Sequence, residues 1–185
     1  MQNAFEGVDA NSWVHGSGAV SPVIVMGVSG CGKTTLGSAL AERLNATFLD
    51  ADDFHPEANV AKMRAGMPLS DVDRAPWLSA LNRELRTRSA AGEAVVLACS
   101  ALKKNYRAAI SADLAQAHWI FLDGSFELIA ARMRARPNHY MPESLLRSQF
   151  EALERPADAM TISIALSAAE QVDAALRGLQ RHSPD

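Results

Sequence analysis

The stretch GVSGCGKTT, residues 27–35, follows the apolar run VIVM and has the spacing G-x-x-x-x-G-K-[ST]. These residue types at these offsets bind phosphate. Gly27, Gly30 and Gly32 let the backbone turn so that its N–H groups converge on one point, and the loop positions between them, Val28, Ser29 and Cys31, add amides of their own. The helix opening at Lys33, Thr34 and Thr35 adds the positive end of its dipole. Lys33 is placed to reach the β- and γ-phosphates and Thr34 to put its hydroxyl on Mg²⁺. A glycine-rich turn before an ordinary helix is the bland alternative, but the strand before and the helix after favour a nucleoside triphosphate. The loop leaves open whether water or a metabolite receives the phosphate, because phosphoryl transfer needs little beyond positioning and charge neutralisation.

The acceptor side is read from LDADDFHPEANVAKMRAG, residues 49–66. Asp52 is expected at the C-terminal end of the second strand, where open parallel sheets form their ligand crevice. A carboxylate there serves as general base to a hydroxyl or holds a water on the metal. Asp50 and Asp53 read as helix caps or solvated acids. His55, Lys62 and Arg64 follow, and CSALKKNYR (99–107) adds Lys104 and Arg107. An acceptor bearing a carboxylate needs such cations, best as a planar Arg fork. The third strand ends in ACSAL without an acid, so a metal would rest on Thr34, the phosphates and water, with help from Asp52. In AARMRARPNHYM (130–141), Arg132 and Arg136 stand four apart and share one helix face. Such a pair suits a nucleotide, one guanidinium on the base plane and the other on the phosphates. A solvated basic face is the alternative.

The elements that must position these groups alternate. Apolar runs at 22–28, 46–52, 93–100, 118–124 and 161–167 read as strands. Helical spacing fills the intervals, including 33–44 after the loop and a final helix to about 179. Pro76 is expected in the first turn of the helix that Gly92 follows. This pattern predicts an α/β fold with a five-stranded parallel sheet and right-handed crossovers, three layers in all. Two segments break the rhythm: 53–92 as a substrate-side insertion and 134–158 as a helical lid region. One domain over 21–185 is expected, preceded by a flexible polar tail at 1–20.

Composition narrows the classes further. The net charge of −3 implies no broad basic surface for nucleic acid. No apolar run approaches the ~18 residues that span a bilayer, and the N-terminal residues lack the basic start and apolar core of a signal peptide. Two cysteines, Cys31 and Cys99, fit a reducing compartment rather than a disulfide framework. A cytoplasmic protein with no membrane partner is expected.

Taken together, MGVSGCGKTT, LDADDFHPEANVAKMRAGMPLSDVDRAPWL, CSALKKNYR and RPNHYM…SQFEALERP resemble the thermoresistant-type gluconate kinases, over residues from about 23 to 156. The phosphate loop is shared by many families, whereas the second and third strings are far more specific. The resemblance implies a nucleoside-kinase-like fold, ATP with Mg²⁺, transfer to the 6-hydroxyl of D-gluconate, and a cytoplasmic homodimer. It assigns Lys33 and Thr34 to the phosphate loop, Asp52 to the base, and His55, Lys62, Arg64, Lys104 and Arg107 to the acceptor side. Arg132 and Arg136 become the lid arginines. Arg155 and the segment ISIALSAAEQ depart from the family pattern. A kinase for another small hydroxy acid such as shikimate is the second reading, and a nucleotide-binding module without transfer the third.

Overall fold

A computed structural model describes residues 19–135 and 143–181. The expected tail lies outside the described residues except at its end, where Val20 is buried and its N–H donates to the Ser89 carbonyl.

The elements follow the expected alternation. They are β1 (Val23–Met26), α1 (Lys33–Arg43), β2 (Thr47–Asp50), a 3₁₀ turn (Ala51–Phe54), α2 (Glu57–Arg64), α3 (Asp71–Ala90), β3 (Val95–Ala98), α4 (Lys104–Ser111), β4 (His118–Asp123), α5 (Phe126–Arg134), α6 (Glu143–Ala152), β5 (Met160–Ser163) and α7 (Ala168–Gln180). The five strands form one sheet in the order β2-β3-β1-β4-β5, with every neighbouring pair parallel. β1 is central and wholly buried, as its unbroken apolar run requires.

Alternation along the strands divides the core in two. Val23, Val25, Val96, Ile120 and Leu122 face the layer of α1, α5 and α7, where Leu36, Leu40, Ile129 and Leu176 meet them. Ile24, Met26, Leu97 and Phe121 face α3 and α4, against Leu81, Leu85 and Ile110. The second half of the expected 53–92 insertion therefore belongs to the body of the fold: α3 buries Trp77, Leu78, Leu81 and Leu85. α2 stands off, burying Asn59 alone.

Three boundaries differ from expectation, each for a side-chain reason. β2 stops at Asp50 because that carboxylate accepts the Asp52 N–H and turns the chain into the 3₁₀ segment. α3 starts at Asp71, where Ser70 and Asp73 form a reciprocal capping box, so Pro76 lies in the second turn rather than the first. β5 ends at Ser163, whose hydroxyl accepts the Ala165 N–H, and a second capping box, Ser167 with Glu170, starts α7. No helix among the described residues is long and apolar enough to cross a membrane.

Candidate active site

The loop between β1 and α1 has the conformation its glycines permit. Gly27, Gly30 and Gly32 have φ of 145°, 80° and 107°, values that disfavour any residue with a Cβ. Space forbids one as well at the first two. A Cβ on Gly27 would lie 2.9 Å from the Leu122 carbonyl oxygen, and one on Gly30 2.7 Å from Met133. Gly32 meets nothing, so there the demand is purely conformational.

The loop amides divide into two groups. Ser29 N–H donates to Gln149 Oε1 at 2.7 Å and Cys31 N–H to the Val28 carbonyl. Gly32 caps α1 without a side chain. The amides of Gly30, Gly32, Lys33, Thr34 and Thr35 have no acceptor among the described residues. A helix N-terminus with several free N–H groups is a built anion site. Lys33 Nζ lies 3.1 Å from the Val28 carbonyl oxygen, folded over the loop and engaged only by a neutral acceptor. Burial pushes the Cys31 thiol up, so that side chain stays protonated and contributes packing rather than charge.

The acceptor-side turn touches this loop directly. Thr34 Oγ1 donates to Asp50 Oδ2 at 3.2 Å, while Asp50 Oδ1 accepts the Asp52 N–H. Asp50, expected to be a cap or a solvated acid, is a cap on one oxygen and a partner of Thr34 on the other. A hydroxyl and a carboxylate side by side are hard oxygen donors that suit Mg²⁺ held chiefly by phosphates and water. Among the described residues no group of three or more His, Cys, Asp or Glu forms a protein metal cage.

Asp52 is exposed and projects from the 3₁₀ turn. His55 stacks on Trp77 with ring centroids 4.4 Å apart, and Trp77 Nε1 donates to the Ala51 carbonyl at 2.7 Å, so the indole fixes both the turn and the imidazole. Burial, more than the opposing field of Asp52, holds His55 below the usual histidine range. Its buried Nδ1 has no hydrogen-bond partner among the described residues.

The expected cations have different surroundings. Lys62 Nζ is 2.6 Å from Asp73 Oδ1, and this bond, with those from Ser70, holds the Asp73 carboxyl far below its ordinary value. Arg64 is exposed at the end of α2 and has no partner among the described residues. Lys104 opens α4, its N–H capped by Glu154 Oε2 at 2.6 Å. Arg107 Nη1 donates to the carbonyls of Ala101 and Leu102 at 3.1 and 3.2 Å. It braces a loop in which Ala101, a non-glycine residue, takes φ of 42°.

A second network links the two most specific sequence strings. Asp71, at the start of α3, accepts hydrogen bonds from Tyr106 Oη and, at 3.0 Å, from Lys103 Nζ. Both hold its carboxyl below the usual range, the tyrosine bond most strongly. Arg74 donates to the Leu69 carbonyl and lies 5.6 Å from the Tyr106 ring centroid. DVDR and KKNYR are thus two halves of one contact, a pairing that spacing alone does not reveal.

Arg132 Nη2 donates to the Ile164 carbonyl at 2.6 Å, bringing the end of α5 to the loop after β5. Arg136 lies outside the described residues. Arg155, which departs from the family pattern, forms a two-pronged bridge to Asp123 at 2.7 and 3.0 Å.

A family model described as an AAA domain matches residues 23–159. The thermosensitive gluconokinase of Escherichia coli is 50% identical over 133 residues, 72% of this chain and 71% of that one. The gluconokinase of Gluconobacter oxydans is 44% identical, over 86% and 89% of the two chains. A solved gluconokinase from Sinorhizobium meliloti superposes with a TM-score of 0.81 at 41% identity, covering 88% of this chain and 93% of that one. A shikimate kinase from Aquifex aeolicus, at 20% identity and a TM-score of 0.55, shares the fold alone. The chain belongs to the gluconokinase family of phosphate-loop kinases.

Proposed function

We propose that the protein transfers the γ-phosphoryl group of ATP to the 6-hydroxyl of D-gluconate, giving 6-phospho-D-gluconate and ADP. The observation that carries this reading is the Thr34–Asp50 contact at 3.2 Å, which joins the phosphate loop to the acceptor turn bearing Asp52 and His55. The names of the relatives support gluconate as the acceptor.

The free amides of Gly30, Gly32, Lys33, Thr34 and Thr35 bind the phosphate oxygens, and Lys33 leaves the Val28 carbonyl for the β- and γ-phosphates. Mg²⁺, with Thr34 and Asp50 beside it, would neutralise charge on those phosphates. Asp52 accepts the proton of the 6-hydroxyl as its oxygen bonds to the γ-phosphorus. The bond from that phosphorus to the bridging oxygen breaks, and ADP departs with the electron pair. The neutral His55 forms a hydrogen bond with a further gluconate hydroxyl. A cytoplasmic homodimer is part of the same proposal, on the family resemblance.

The carboxylate of a linear six-carbon acid lies far from the hydroxyl that reacts, so its partner is a cation away from Asp52. Arg64, exposed and without a partner among the described residues, fits that role more directly than Arg107, whose guanidinium grips two carbonyls. Lys62, already paired with Asp73, and Lys104 are the next candidates. Arg64→Ala is expected to raise KM for gluconate roughly 10-fold or more, as for loss of a charged hydrogen bond, with KM for ATP nearly unchanged. Glucose, which lacks the carboxylate, is expected to be a far poorer substrate for the unmodified protein. The test is kcat/KM for gluconate and glucose with wild type, Arg64→Ala and Arg107→Ala. Retention of the full preference by both variants would move the carboxylate to Lys62 or Lys104.

The two lid arginines are separable. Arg132, beside the loop after β5, is proposed to stack on the base, a contact felt equally before and during transfer. Arg132→Ala is then expected to raise KM for ATP at constant kcat. Arg136 is proposed to reach the γ-phosphate late in the reaction, so Arg136→Ala is expected to lower kcat. Steady-state kinetics in ATP distinguishes the two, and the reverse pattern would exchange their roles.

A further inference from the structure

Leu146, Gln149 and Phe150 recur at the helical spacing that makes the inner face of α6, and Leu153 continues it just past the helix end. Leu146 is buried in the core, Phe150 packs edge-on to Phe126 of α5 with centroids 5.6 Å apart, and Leu153 packs against the core as well. Gln149 is the polar member of an apolar stripe. Its amide is fully employed against a single residue of the phosphate loop: Oε1 accepts the Ser29 N–H at 2.7 Å and Nε2 donates to Ser29 Oγ at 2.9 Å. Both bonds cross 120 residues of sequence.

Ser29 lies between Gly27 and Gly30, at the two bends the loop must hold. Its amide is set apart from the free amides of Gly30, Gly32, Lys33, Thr34 and Thr35, because a side chain from another helix occupies it. The same helix is anchored on the acceptor side just beyond its end. There Glu154 N–H donates to the Leu102 carbonyl at 2.9 Å, and Glu154 Oε2 caps Lys104. α6 therefore touches the phosphate loop through Gln149 and the acceptor loop through Glu154. From this geometry we propose that Gln149 is a positioning residue, which presets the phosphate loop for nucleotide by holding Ser29 from the lid helix. The proposal rests on the reading of the loop as an ATP site and adds a residue that acts through Ser29 without touching the phosphates.

Preorganisation of this kind is felt in nucleotide affinity. Gln149→Met keeps the side chain's length and volume and removes both hydrogen bonds. It is expected to weaken MgATP binding about 10-fold, as for two ordinary hydrogen bonds lost, while KM for gluconate stays within about 2-fold. Ser29→Ala removes one of the two bonds and is expected to weaken MgATP binding by about 3-fold. In the double variant the effect of Gln149→Met is expected to be smaller than in wild type, since the two residues share one contact.

The experiment is titration calorimetry of the full chain and these three variants with MgATP in the absence of gluconate, alongside KM for each substrate and the melting temperature. A role confined to folding would lower the melting temperature and move both KM values together. Undiminished MgATP affinity in Gln149→Met overturns the proposal. Tighter binding overturns it too, by showing that Gln149 obstructs the loop. Strictly additive effects of the two substitutions would show that they do not act through one contact and would overturn it equally. A wild-type chain that binds no MgATP fails the ATP-site reading itself, which separates that failure from failure of the Gln149 proposal.

Discussion

Replacing Lys33 with methionine is expected to lower kcat by ~100-fold or more while the chain folds normally, the range seen when one electrostatic clamp on a developing charge is lost. Methionine keeps most of the length and apolar stem of lysine, so the substitution removes the ammonium and little else. Among the described residues that ammonium has only the neutral Val28 carbonyl as partner, 3.1 Å away. Among the described residues no carboxylate must be stripped from it for the proposed swing to the phosphates, and removing it leaves no buried acid unpaired. The loss should therefore fall on catalysis and nucleotide contact rather than on stability. The measurement is kcat at saturating ATP and gluconate together with a melting curve. Near-wild-type turnover in a folded variant would show that Lys33 does not face the transferring group.

The contrast between Lys33 and the acceptor cations explains what the sequence could disclose. The phosphate loop was legible because its pattern is local: three positive-φ glycines, a lysine and a hydroxyl stand within eight residues of one another. The five-stranded sheet was legible for a similar reason, since each buried strand carries its own apolar run and each helix its own period. Spacing alone could not say which charges are already taken. Lys62 looks like a free cation until Asp73, eleven residues away, is seen beside it. Arg107 likewise looks free until the chain folds the Ala101–Leu102 carbonyls onto it. Asp50 was read as a cap because that half of its bonding is local. The other half, to Thr34, crosses from β2 to α1 and needs the sheet to exist. Gln149 left only a faint trace, a polar residue in an apolar stripe, and its partner lies at the far end of the chain.

Asp52 and Asp50 give the second large expectation, because the two carboxylates divide what the sequence left to one. Asp52→Asn keeps the shape and removes the proposed base, so kcat is expected to fall by roughly 100- to 10,000-fold, the span for loss of a general base. MgATP binding is expected to be nearly unchanged, since Asp52 projects from the 3₁₀ turn and has no hydrogen bond to the phosphate loop among the described residues. Asp50→Asn is expected to behave differently. Its carboxylate meets Thr34 at 3.2 Å on one oxygen and caps the 3₁₀ turn on the other. An amide oxygen can retain one of those contacts but carries no charge for a metal. The expected result is a raised Mg²⁺ requirement at fixed ATP, with turnover partly restored at high Mg²⁺. The decisive comparison is a Mg²⁺ titration of kcat for wild type and both variants. A loss in Asp52→Asn that excess Mg²⁺ repairs would move that residue to the metal. A loss in Asp50→Asn that no Mg²⁺ concentration repairs, with MgATP binding intact, would make Asp50 the stronger candidate for the base.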